Sequence, residues 1–359
     1  MKFSEAIRTI ELVLESGNVP LIIGEAGIGK TSLVKKICKS DNYHLVNIDA
    51  NLLKEGEIGG LPLVENGRTK YATHYKLIEV EEAINNNYNG VLLFIDELNR
   101  CEHAVQQELM NLILNREING YKLENNVKIV AAMNPSNKYD GFEDSDYQVV
   151  DMDRAQEDRF VWIELSSDIK EWIKWAMSDD GNIHDHIIEF LSTFPEYLST
   201  PNSKESIKAT PRSWERVAKA YNIFVKDEKY SSDILYNVVK GNVGVSIATD
   251  FINYIKNMKN PLIKAEDLFS YIILPIELKD EIRKESHSRL YILAKNSLRY
   301  LEENNTENNR KLFGDLLTCY PKDLRLGIMK EIKSDSSEIL YNDLLNEDTF
   351  LDAFFNIFE

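Results

Sequence analysis

The stretch GEAGIGKT at Gly24–Thr31 constrains this chain more than any other feature. It fits the pattern G-x-x-x-x-G-K-[ST] in full, and it stands between an apolar run, Val19–Ile23, and a helical pattern, Thr31–Lys39. That context is the strand–loop–helix unit of a parallel α/β sheet. Gly24, Gly27 and Gly29 let the backbone curl, so that successive N–H groups point into one concavity at the positive end of a helix. The candidate phosphate cradle is therefore Gly24, Glu25, Ala26, Gly27, Ile28, Gly29, Lys30, Thr31 and Ser32. Lys30 supplies a point charge for β- and γ-phosphates, and Thr31 a hydroxyl for Mg²⁺. The alternative is a glycine-rich turn that holds no ligand.

Two further strand ends carry chemistry. VLLFIDELNR at Val91–Arg100 closes a buried apolar strand with an acidic pair. Ligands sit at such carboxyl ends in open α/β sheets. Asp96 is placed to hold Mg²⁺, and Glu97 to polarise a water that attacks the γ-phosphate. The alternative is that the pair only favours the start of the next helix. In KIVAAMNPS another buried strand ends at Met133, and Asn134 offers a neutral amide beside the Asp96 strand. Alone, Asn-Pro is usually a turn. Asn47, at the end of the second strand, reads on its own as a capping residue.

The fold class expected is α/β: a P-loop domain with a parallel sheet and flanking helices over residues 1–165, then a helical domain over 166–260, then a C-terminal helical region over 261–359. The first part alternates short apolar runs with helical patterns, which signals a parallel sheet. Asn66–Gly67 between Leu61–Val64 and Thr69–Thr73 signals a hairpin inside an insertion at about 56–75. Gly120 marks a second small hairpin. From Ser166 onward the pattern is helical, including one long helix expected over Leu278–Glu302.

Charge and composition exclude several classes. Lys and Arg total 42 against 59 Asp and Glu, a net −17. That balance disfavours sequence-independent binding to DNA or RNA. The three cysteines are far apart and form no CxxC pair, as in a reducing compartment. Apolar runs fall far short of the ~20 residues of a membrane span. A cytoplasmic protein is the expectation.

The ordered set of motifs resembles an AAA+ ATPase, in detail the MoxR-type branch. GEAGIGKT looks like its Walker A, VLLFIDELNR like its Walker B with the LNR extension, and MNPS like sensor 1. EIGGLP at Glu57–Pro62 with the following hairpin looks like its insertion. MDRAQEDRF at Met152–Phe160 looks like the helix ending in Asp-Arg-Phe, and ATPRSWERV at Ala209–Val217 like sensor 2. The resemblance implies ATP and Mg²⁺ as ligands, Glu97 and Asn134 at the reacting water, and Arg159 as a finger acting on a neighbour's nucleotide. It places Arg212 at sensor 2 on a helical lid over 166–260, makes Asn47 a restraint on Glu97 until ATP is read, and offers Arg100 and Arg154 as further intersubunit candidates. The alternatives are a salt bridge from Arg159 to Glu157 or Asp158, and helix capping by Arg212. The resemblance further implies a ring, a hexamer, and remodelling of a protein client, with a von Willebrand factor A-type domain protein as partner.

Other readings stay on the page. NKYD at Asn137–Asp140 matches the guanine-reading N-K-x-D, but the Asp96 strand lacks the D-x-x-G of GTPases. His184-Asp185-His186 splits its imidazoles across a helix and reads as a solvated helix start rather than a metal site. Asp144, Asp146, Asp151 and Asp153 read as solvated loop acids, and Trp162, Trp172, Trp175 and Trp214 as packing. A nucleic-acid-directed motor or restriction-type NTPase, using Arg68 and Lys70 on the hairpin, and a slow nucleotide-gated scaffold are the rival functions.

Overall fold

The computed structural model describes residues 1–84, 86, 88–139, 142, 147–257 and 262–355. The chain divides into two compact units, Met1–Glu171 with Ser199–Trp214 and Trp172–Leu198 with Glu215–Glu359.

The first unit begins with α1 (Phe3–Glu15), β1 (Pro20–Ile23), α2 (Lys30–Asp41) and β2 (Tyr43–Asp49). A hairpin follows, β3 (Pro62–Glu65) and β4 (Arg68–Tyr71), then α3 (Tyr75–Ile84), β5 (Gly90–Asp96) and α4 (His103–Asn115). The short pair β6 (Glu117–Ile118) and β7 (Tyr121–Lys122) precedes β8 (Val127–Met133), α5 (Arg154–Glu157) and β9 (Val161–Glu164), and α6 (Ile169–Ala176) starts in this unit and ends in the second. Strands β2, β5, β8, β1 and β9 form one sheet in that order, and every pairing within it is parallel. This is the α/β architecture the alternating pattern predicts.

Burial explains the run of apolar residues. β1 is buried at all four positions and β5 at its first six, so only Asp96 emerges at the strand end. One face of the sheet sends Leu93, Ile95, Ile129 and Ala131 into a core with α3 and α4; the other sends Ile22, Phe94, Val130 and Ile163 against α1 and α2. A strand covered on both faces has no polar side to alternate. The insertion hairpin differs: all eight residues of β3 and β4 are exposed. Its turn is Asn66–Gly67, both at positive φ (53° and 72°), the conformation that favours this pair.

The second unit is helical: α7 (Asp185–Thr193), α8 (Pro211–Phe224, which starts in the first unit), α9 (Ser232–Val243) and α10 (Val245–Asn257). Then come α11 (Ala265–Phe269), α12 (Ile276–Ile282), α13 (His287–Glu303), α14 (Glu307–Thr318), α15 (Lys322–Asp335), α16 (Glu338–Leu345) and α17 (Asp348–Phe355). Leu268, Leu293, Phe313, Leu316, Ile328 and Phe350 share the core of this last group. The single helix expected over 278–302 is two. Ser286 has extended backbone, and its hydroxyl accepts from Arg289 N, so the helix restarts there with a cap of its own.

The His184-Asp185-His186 start of α7 is not solvated. Both imidazoles are half-buried; His184 Nδ1 accepts from His186 N at 3.1 Å, and His186 Nδ1 lies 2.6 Å from the Tyr221 hydroxyl. Burial pushes the His184 pKa down to about 4. Among the described residues no cluster of His, Cys, Asp and Glu is arranged to hold a metal, and no helix is long and apolar enough to cross a membrane.

Candidate functional site

The strand order sets the site. β8 lies between β1 and β5, so the loop after β1, the acids after β5 and the amide after β8 meet at the carboxyl edge of three adjacent strands. Register makes this concrete: Ile23 pairs with Met133, and Ile95 with Ala131. Continuing the register sets Gly24 beside Asn134 and Glu97 beside Met133.

The loop Gly24–Gly29 turns β1 into α2. Gly27 has φ +77°, and a Cβ there would lie 2.7 Å from Thr210 Oγ1. Only glycine combines that backbone with so close an approach. Arg212 N donates to Gly27 O at 3.2 Å, so the start of α8 is seated directly on the loop. Gly29 caps α2 in the left-handed region, and Lys30 and Thr31 form its first turn.

Lys30 is 7% exposed, and its Nζ donates to Gly24 O at 2.6 Å, Glu25 O at 3.3 Å and Asn134 Oδ1 at 2.9 Å. Burial pushes its pKa down to about 8, against the pull of Asp96 and Glu97; the Arg212 guanidinium presses in the same direction as burial. A lysine balanced this way gains most from a polyanion, whose charge restores the ammonium.

Thr31 Oγ1 donates to Asp96 Oδ2 at 3.0 Å. A hydroxyl and a carboxylate converging on one point are hard oxygen donors, the set that suits Mg²⁺. Asp96 Oδ1 accepts from Glu97 N at 3.0 Å, and Glu97 itself has φ +57°. A non-glycine residue in that region is uncommon and concentrates at functional positions. Asn134 Nδ2 donates to Glu97 Oε2 at 2.8 Å, and Arg100 Nη1 stands 3.5 Å from the same oxygen. Asn134 thus touches both the phosphate-loop lysine and the acid.

Three contacts at the site have no local signature in the sequence. Asn99, buried to 2% exposure, donates from Nδ2 to Asn134 O at 2.8 Å and accepts from Asn134 N at 3.3 Å. The Tyr147 hydroxyl donates to Glu25 Oε2 at 2.8 Å and accepts from Ala26 N at 3.0 Å. Lys138 and Tyr139, part of the NKYD match, bind Glu157 rather than the phosphate loop. The nearest signal is the position of Asn99 itself, an amide two residues past the acids; Tyr147 has none. Asn47 lies mid-strand opposite Phe94, with no bond to Glu97, so Asn134 rather than Asn47 restrains the acid.

Of the arginines, Arg212 lies near enough to Lys30 to affect its pKa. Arg159 is exposed, two residues beyond α5, and makes no ion pair among the described residues. Arg154 is exposed as well. Asp140, Asp144 and Asp146 lie outside the described residues.

Residues 20–153 match the profile of the AAA domain of the dynein-related subfamily. This stretch is an AAA+ domain. Among solved structures, the chain is similar to a candidate ATPase of Cytophaga hutchinsonii, with 18% identity, 71% of this chain and 89% of that one covered, and a TM-score of 0.36. It is similar to a RuvB mutant of Thermotoga maritima, with 17% identity, 75% and 81% covered, and a TM-score of 0.40. It is also similar to NtrX of Brucella abortus in complex with ADP, with 14% identity, 92% and 67% covered, and a TM-score of 0.42. No curated protein matches the chain. Within this domain Lys30, Thr31, Asp96, Glu97 and Asn134 are gathered at one sheet edge.

Proposed function

We propose that this chain is a Mg²⁺-dependent ATPase that couples hydrolysis in a ring oligomer, a hexamer, to remodelling or maturation of a protein partner. The observation that carries the chemistry is the continuous run of contacts from Thr31 to Asp96, Asp96 to Glu97, Glu97 to Asn134 and Asn134 to Lys30. Glu97 accepts a proton from the attacking water, and Asn134 holds the carboxylate in place for it. Lys30 and Arg212 place positive charge where phosphate oxygens gather negative charge, and Arg159 does so from a neighbouring subunit. Bound at Thr31 and Asp96, Mg²⁺ supplies charge neutralisation on the phosphates.

The partner class rests on the MoxR-type motifs, which imply a protein client and a von Willebrand factor A-type domain partner. The exposed insertion hairpin fits this better than a nucleic-acid role. Leu63, Val64 and Tyr71 stand in solvent on it, Val64 at 82% exposure, while Lys70 is paired with Glu65 at 2.5 Å. In this reading residues 166–260 work as the lid. The buried free thiols of Cys38, Cys101 and Cys319 fit the reducing conditions of a cytoplasm.

The test is ATP turnover with and without Mg²⁺, then purification of Glu97→Gln protein held with ATP. We expect Mg²⁺-dependent turnover, a ring in the trapped state and a protein bound to it. No turnover at any Mg²⁺ level removes the ATPase reading. A trapped state that is monomeric, or that retains nucleic acid instead, removes the remodelling reading.

A further inference from the structure

The segment Asn137–Tyr139 has no part in the chemistry above, yet it is heavily bonded. Lys138 Nζ donates to Met152 O at 3.0 Å, lies 3.1 Å from Glu157 Oε1 and 3.7 Å from Asp151 Oδ1, and stands 5.1 Å over the Tyr139 ring. The Tyr139 hydroxyl donates to Glu157 Oε1 at 3.0 Å. Its ring meets Trp162 edge-on at 5.0 Å, and Trp162 Nε1 donates to Glu157 O at 3.1 Å. Glu157 is thus gripped at its carboxylate by Lys138 and Tyr139 and at its carbonyl by Trp162.

The grip matters because α5 cannot orient itself. It has four residues, none buried, and a capping box between Asp153 and Gln156 as its local support. A single turn has little stability of its own. Arg159 lies two residues beyond Glu157, with its N–H donating to Gln156 O at 3.3 Å. Where Glu157 is held, the exposed Arg159 is aimed. The other end of the grip is anchored at the site: Tyr139 N donates to Ser136 O at 3.1 Å, and Ser136 and Asn134 are both buried.

We propose that Lys138, Tyr139 and Glu157 form a positioning brace that sets the direction of Arg159 from the same loop that carries Asn134. This rests on the reading above in which Arg159 acts on a neighbouring subunit's nucleotide. The brace residues touch neither nucleotide nor water; they act through Arg159.

Subunit mixing tests it. Tyr139→Phe and Lys138→Met should each lower turnover roughly 10- to 100-fold, the scale of a misplaced catalytic group. Nucleotide affinity of the variant should stay within about twofold of wild type. Mixed with Lys30→Ala subunits, both should regain activity, because the neighbour supplies a correctly aimed Arg159 to an intact Lys30 site. Arg159→Ala, run in parallel, should be rescued in the same way. Lys138→Arg, which keeps a cation on Glu157, should retain most activity and serves where Lys138→Met folds poorly. If Arg159→Ala is rescued and the brace variants are not, the brace is overturned while the trans role of Arg159 stands. Unchanged turnover in Tyr139→Phe and Lys138→Met overturns it too. If Arg159→Ala is itself not rescued in rings shown to be mixed, the trans reading falls, and the brace with it.

Discussion

Asn134 donates from Nδ2 to Glu97 Oε2 at 2.8 Å, while its Oδ1 accepts from Lys30 Nζ at 2.9 Å. One amide therefore holds the Lys30 ammonium on one side and the Glu97 carboxylate on the other. An anion that draws Lys30 toward itself must pull on this chain, and the acid is at its far end.

In the proposed mechanism Glu97 is the proton acceptor. Glu97→Gln keeps the shape and the Asn134 partner but cannot take a proton from water. Turnover should fall by roughly 10²–10⁴ with ATP binding retained. Lys30→Ala should lose binding instead. Single-turnover hydrolysis and equilibrium binding separate the two, and near-normal turnover in Glu97→Gln would show that another group is the base.

Asn99 holds Asn134 by two backbone bonds inside the core. In Asn99→Ala the N–H and C=O of Asn134 lose their partner where water is scarce. The expected cost is about 1–3 kcal/mol in stability, with a lower kcat at a nearly unchanged nucleotide affinity. Chemical denaturation and steady-state kinetics report the two parts; a variant equal to wild type in both would mean that other groups position Asn134.

What could be read in advance was local in the chain. The phosphate loop, the strand ending at Asp96 and the Asn66–Gly67 turn each carry their reason within a few neighbouring residues. Asn99 and Asn134 are 35 positions apart, and Lys138 finds Glu157 across a loop; no local periodicity encodes such meetings. The break at Ser286 was hidden because apolar spacing runs on across it, and a single cap outweighs that spacing. The short helices α16 and α17 are stabilised by the core they join, through Leu340, Leu344 and Phe350, more than by their own sequence. The half-buried His184 and His186 show the same limit: a polar triplet reads as surface until Tyr221 covers it.

The base preference should favour ATP. A guanine-reading lysine must be free to lie against the base, but Lys138 is committed to Met152 O and Glu157. ATP and GTP should compete with ATP ahead, though modestly, since little of the base edge is recognised. Asp140→Ala should leave that order unchanged. A strong GTP preference lost in Asp140→Ala would restore the guanine reading and remove the ATPase.

The last expectation concerns pH. The ordinary value for Lys30 is 10.5, and burial in the fold pushes it down to about 8. Between those values the unfolded chain holds a proton the fold has shed. The penalty for burying the ammonium is therefore full below about pH 8 and is relieved as pH rises toward the unfolded value. A bound polyphosphate reverses the balance, because its charge favours the ammonium. Nucleotide binding should be insensitive to this lysine below about pH 8. Above it, binding should take up close to one proton, and affinity should fall by up to about tenfold per pH unit. Calorimetry at about pH 7 and pH 9, in buffers of different ionisation heat, measures that uptake directly. In Lys30→Arg the guanidinium stays charged, so any binding that remains should lose the dependence. A wild type that takes up no proton near pH 9 would mean that Lys30 is already charged in the free site.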